Sequence, residues 1–235
     1  MQEELTLLQR LIQVLFNPRR SFEAVLNKET AHDWLVPTLL VCAVGIMAHF
    51  LTLDVLTNLE TPQVQEALHE MSEEEQERYL EGMRMLRTHG WLMVPLGVFS
   101  SLLMLSAVLM LFTKWILSAE VTFRQMLVVK AYGSMVLIPE WLVRTPLVLL
   151  TGNPDIRTGP GALLDQSQTQ DFFGRMLNAI NLFDLWQLWI LAVGISVFSG
   201  TANRKAGITL VIAWLLWIIT GAWLEGVDPG PPPGA

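Results

Sequence analysis

WLVPTLLVCAVGIMAHFLTL, residues 34–53, decides the fold: Trp34 to Leu53 pass without one Asp, Glu, Lys or Arg. About 20 such residues make about 30 Å of helix, the thickness of a bilayer's hydrocarbon core. Pro37 falls in the expected first turn, where a missing N–H costs little. His49 is the one ionisable side chain, and near a helix end it reads as an interfacial or hydrogen-bonded structural residue. Outward from this stretch the same composition recurs at Trp91–Leu117, Met126–Leu150, Leu182–Phe198 and Ala206–Leu224. The expected fold is therefore all-α, a polytopic membrane helix bundle of about five transmembrane helices.

The whole chain agrees. Its 235 residues are 52% hydrophobic and 16% charged, with a mean hydropathy of +0.43. The charges are segregated, and much of the net charge of -7 comes from residues 54–90, where Glu66, Glu70, Glu73, Glu74, Glu75, Glu77 and Glu81 alternate with Val64, Leu68, Met71, Tyr79, Met83 and Leu86. A helical acidic loop outside the membrane is expected there, starting at Pro62 and ending at Gly90. It lacks the Asp, Asn and Gly spacing of a calcium loop.

Residues 1–30 predict amphipathic interfacial helices. Leu5, Leu8, Leu11, Ile12, Leu15 and Phe16 recur at helical spacing, with Gln9, Arg10 and Gln13 opposite. Asn17-Pro18 should stop the first helix, and Ser21 should cap a second one carrying Phe22, Val25 and Leu26. The charges in this region interrupt any signal-peptide core, so the N-terminus is expected to be retained. Residues 165–180 predict a polar loop and another interfacial stretch, with Phe172, Phe173, Met176, Leu177 and Ile180 on one side. The Pro/Gly-rich tail 226–235 should be disordered.

No catalytic or metal-binding residues are expected. Cys42 is the single cysteine, so disulfides and cysteine zinc sites are excluded, and it reads as a small buried hydrophobe. There is no His/Glu metal box, nucleophile elbow, P-loop or dinucleotide fingerprint, and Gly159-Pro160-Gly161 reads as a turn. Ser134 has no Ser/His or paired-Asp partner for intramembrane proteolysis. No cofactor is expected, and no Lys/Arg stripe points to nucleic acid. The expected partners are the lipid bilayer and a membrane-protein partner or a second copy of the chain.

Charge inside an apolar span is costly and marks the functional candidates. These are Lys130, Glu140, Arg144 and Asp184. Glu140 and Arg144 are four apart and can pair on one face, Lys130 is expected to snorkel to the near surface, and Asp184 to reach Arg144 rather than Lys130. Pro139 and Pro146 should bend or break the third span, while the other four read as ordinary lipid-facing helices. Lys/Arg counting gives the orientation. With five spans, Arg10, Arg19, Arg20, Lys28, Lys114, Arg124, Arg204 and Lys205 lie on the N-terminal side, and Arg78, Arg84, Arg87, Arg157 and Arg175 lie opposite. The positive-inside rule then places the N-terminus in the cytoplasm and the C-terminus outside, in the cell inner (plasma) membrane. Arg19, Arg20, Arg204 and Lys205 are the expected inner-surface contacts.

Three stretches carry a family likeness: Asn17-Pro-Arg-Arg-Ser-Phe22-Glu-Ala-Val-Leu26, Val121-Thr-Phe-Arg-Gln-Met-Leu-Val-Val-Lys-Ala-Tyr-Gly-Ser-Met-Val-Leu-Ile-Pro139, and Leu182-Phe-Asp184-Leu-Trp186 through Gly194 to Arg204-Lys205-Ala206. Together the sequence resembles the Yip family of five-span membrane proteins in its short bacterial form, over residues 15–220. The resemblance implies five spans with a cytosolic N-terminal region, but supplies no settled activity. In eukaryotic members it implies binding to Rab-type GTPases and a part in vesicle traffic. This sequence lacks a long soluble segment before the first span and an Asp-Leu-Tyr-Gly-Pro motif, so Rab binding does not carry over. The expected role is a non-enzymatic membrane scaffold or adaptor, the alternative a transporter, channel or lipid-moving protein using the third and fourth spans.

Overall fold

The computed structural model describes residues 5–26, 30–154, 156, 158–164 and 171–227. Lys28, Arg157, the polar loop at 165–170 and the tail from 228 onward lie outside them. All regular structure among the described residues is helical, and five helices are long and apolar enough to cross a bilayer.

The chain opens with α1 (Leu7–Gln13) and α2 (Pro18–Val25). Thr6 and Gln9 form a reciprocal capping box at the start of α1. The cap of α2 is Asn17, whose side chain accepts from the Arg20 N–H, with Pro18 following at the first helical position. Ser21, the expected cap, lies inside α2 and is buried, its hydroxyl donating to the Arg10 carbonyl at 3.1 Å. The apolar face of α1 is divided. Leu11 and Val14 are buried, whereas Leu8, Ile12 and Phe16, spaced four apart, are exposed.

The first span, α3 (His32–Leu56), starts two residues earlier than the apolar run suggests, so Pro37 falls inside the helix. α4 (Pro62–Glu70) and α5 (Glu73–His89) follow. The Glu75 carboxylate caps α5 by accepting from both the N–H and hydroxyl of Ser72. α5 ends at His89 with Gly90 as its C-cap, as expected, and a 3-10 turn at Gly90–Leu92 leads without a loop into the second span, α6 (Met93–Trp115). The helical stretch from Glu73 to Trp115 covers 43 residues, and Gly90 within it lies close to α3, where a Cβ would meet the His49 imidazole at 2.9 Å.

The third span is α7 (Phe123–Gly133), a 3-10 turn at Ser134–Val136, and α8 (Leu137–Thr151). Pro139 would collide with the carbonyl four residues before it in an unbroken helix. The 3-10 turn ends the first segment ahead of that point, so Pro139 sits in the opening turn of α8. α9 (Phe172–Asn178) then leads to the fourth span, α10 (Leu182–Ser199), and the fifth, α11 (Asn203–Val227). Gly200, at φ 69°, supplies the left-handed residue that closes α10. Arg204 and Lys205, expected in a turn, belong to the first turn of α11.

The bundle has a basal and a distal end. At the basal end α3 begins, α6 ends, α7 begins, α10 ends and α11 begins; at the distal end lie α4, α5, α9 and the start of α10. The third span is central, with 61% of its apolar window buried against 17% for the first, second and fifth. The fourth, at 50%, departs from the expected lipid-facing character because α2 covers it. Phe22 sits against Tyr132 and Phe198, and a Cβ on Gly194 would meet its ring at 2.8 Å. Small residues at such contacts let backbones approach, and dispersion replaces the hydrophobic drive that lipid removes.

Candidate functional site

The seam between α7, α8 and α10 gathers the ionisable groups. Gly133 has no side chain, so Leu191 packs onto it and the Gln187 amide donates to its carbonyl at 3.1 Å. Val129 and Phe22 close on Gly194 two turns nearer the basal end. In this antiparallel register Asp184 lies about one turn beyond Gln187 towards the distal end and Lys130 about one turn before Gly133 towards the basal end.

Lys130 does not snorkel to the surface. It is 3% exposed, and its Nζ donates to Ser134 Oγ at 3.1 Å while that hydroxyl donates to the Lys130 carbonyl at 2.9 Å. Asp184 makes no ion pair or hydrogen bond with Arg144, the partner expected for it, nor with Lys130. Glu140 and Arg144 also go elsewhere. Glu140 Oε1 accepts from Asn181 Nδ2 at 2.8 Å, and exposed Arg144 donates to the Pro154 carbonyl at 3.2 Å. The hub at the distal end is Asn181. Its Oδ1 also accepts from the Thr158 hydroxyl at 2.9 Å and, as the cap of α10, from the Phe183 N–H at 3.0 Å. Lys130, Glu140 and Arg144 thus each bond to a different neutral partner, and the four expected residues do not form a cluster of ion pairs.

A second buried charge centre escaped the sequence reading. Arg10 of α1 pairs with Asp33 of α3 at 2.7 Å, with side chains 16% and 1% exposed. Asp33 Oδ2 also accepts from the Thr30 N–H and hydroxyl, both at 2.8 Å. The fully buried Tyr132 feels both charges, and its hydroxyl has no hydrogen-bond partner among the described residues. Asp33 precedes an apolar run by one residue, a faint signal, and no spacing links it to a residue 23 positions earlier.

The four expected surface cations divide into two pairs. Arg19, paired with Glu23 at 2.8 Å, and Arg20 project from α2. Arg204 and Lys205 project from α11, and all four are exposed. No group of three or more His, Cys, Asp or Glu side chains among the described residues could hold a metal ion.

The Yip1 domain, as a family profile, matches residues 12–224. No curated protein and no solved structure gives a significant match. The profile runs from within α1 to the last turns of α11, taking in the charge seam and all five apolar helices. The chain is a multi-pass membrane protein and belongs to the Yip1-domain family.

Proposed function

We propose that this protein is a non-enzymatic membrane-organising scaffold or adaptor, set in the plasma membrane with its basal end in the cytoplasm. The observation supporting a scaffold is that three of the four candidate charges are hydrogen-bonded within the chain: Lys130 to Ser134, Glu140 to Asn181, and Arg144 to a backbone carbonyl. Buried ionic groups matched in this way can fix helix register.

A second reading, movement of an ion or lipid headgroup, draws on Asp184, which is half-buried and has no hydrogen-bond or ion-pair partner among the described residues. Flux and lipid-scrambling assays on reconstituted vesicles separate the readings. A scaffold adds nothing over empty vesicles in the native sequence, Glu140→Gln or Asp184→Asn. Flux in the native protein that either substitution removes overturns the scaffold.

The orientation has its own check. In a Cys42→Ala background, Glu77→Cys on α5 and Ala202→Cys at the basal end place single thiols at exposed sites. An impermeant maleimide applied to intact cells is expected to label the first and spare the second. Equal labelling overturns the arrangement.

A further inference from the structure

The α1–α2 pair does not lie across the basal end of the bundle; it runs up the side of α10. The Trp186 indole donates to the Leu15 carbonyl at 3.0 Å, and its ring lies 6.5 Å from that of Phe16. Phe22 contacts Gly194 and Phe198. Trp186 precedes Gly194 by eight residues, about 12 Å of helix. The turn between α1 and α2 is therefore about that much deeper in the bundle than Phe22. Arg19 and Arg20 lie between the two depths, and their long side chains can reach back towards the basal surface. Arg204 and Lys205 stand at a comparable height, since Gly207 lies against Ala192, with a Cβ-to-Cβ approach of 3.7 Å.

We propose that α1 and α2 form a re-entrant wedge that enters the bilayer from the basal end and that its outer surface binds anionic phospholipid. Acyl chains lie along Ile12 and Phe16, which are 56% and 73% exposed, while the phosphate meets the guanidinium groups of Arg19 and Arg20, extended towards the basal surface. An exposed apolar strip that reaches its deepest point at Phe16, with Arg19 and Arg20 on the basal side of that point, fits one occupant, a molecule with an anionic head and an apolar body. Glu23 offsets part of the charge of Arg19, so Arg20 supplies the larger share of the attraction.

The proposal deepens the scaffold reading by naming a lipid partner and rests on it only for the bilayer setting. A flux result that overturns that reading leaves the lipid preference untouched. The test uses the full chain in phosphatidylcholine vesicles, with spin-labelled phosphatidylglycerol or phosphatidylcholine as probe. The motionally restricted fraction is expected to favour phosphatidylglycerol, and the exposed pair Arg19→Gln/Arg20→Gln to reduce that preference about fivefold. A spin label at Phe16→Cys in the Cys42→Ala background should relax with oxygen and not with a water-soluble nickel chelate. A preference absent from the native protein, or unchanged in the double variant, overturns lipid binding. Nickel access at Phe16 overturns the wedge.

Discussion

Phe22→Ala is expected to destabilise the bundle by about 3–5 kcal/mol, the range for removing a fully buried Phe. Phe22 is 0% exposed and fills the space between Gly194, Tyr132, Val129 and Phe198. Its loss opens a cavity where α2 meets two spans, and the backbone of α10 is already close. The effect extends beyond stability. Phe22 is the main apolar key holding α2, so the variant should release residues 5–26 from α10 before the five spans separate. Thermal unfolding in detergent micelles, followed together with proteolysis near Arg19 and Arg20, checks both parts. Early cleavage with a lowered midpoint is expected; an unchanged midpoint counts against the packing described here.

The second large effect concerns the Arg10–Asp33 pair. Arg10→Met leaves the Asp33 carboxylate buried, with only the N–H and hydroxyl of Thr30 to satisfy it. Breaking one side of a buried pair costs about 3–5 kcal/mol, whereas replacing both with apolar groups of similar volume is often neutral. Arg10→Met should therefore be strongly destabilising, and Arg10→Met/Asp33→Leu should recover most of the loss. A double-mutant cycle on unfolding free energy measures the difference. Additive losses would place these charges in water instead of in the bundle.

The apolar lengths of the spans made five crossings legible, because length against bilayer thickness needs no knowledge of contacts. Side-chain direction was less legible. The apolar face of α1 is the same whether it meets lipid or protein, so its periodicity could not reveal that Leu11 and Val14 face α1's neighbours while Leu8, Ile12 and Phe16 face outward. Lys130 was visible as an anomaly, but snorkelling and a bond to Ser134 are both open to it in the sequence, and the second prevails. The i,i+4 spacing of Glu140 and Arg144 suggested a pair that competing partners prevent. Asn181 supplies a better-placed amide, and Arg144 turns to the carbonyl of Pro154.

The rod formed by α5 and α6 bears on experiment in another way. Its 17-residue α5 part, about 26 Å long, has no buried residue. A small helical protein confined largely to a micelle gives an imaging method few features by which to align particles. A rigid soluble domain spliced in helical phase through the exposed residues Glu77 and Glu81 would project directly from the second span. Because no side chain of α5 is buried, it offers an alignment handle that leaves the polar seam and the α1–α2 pair untouched.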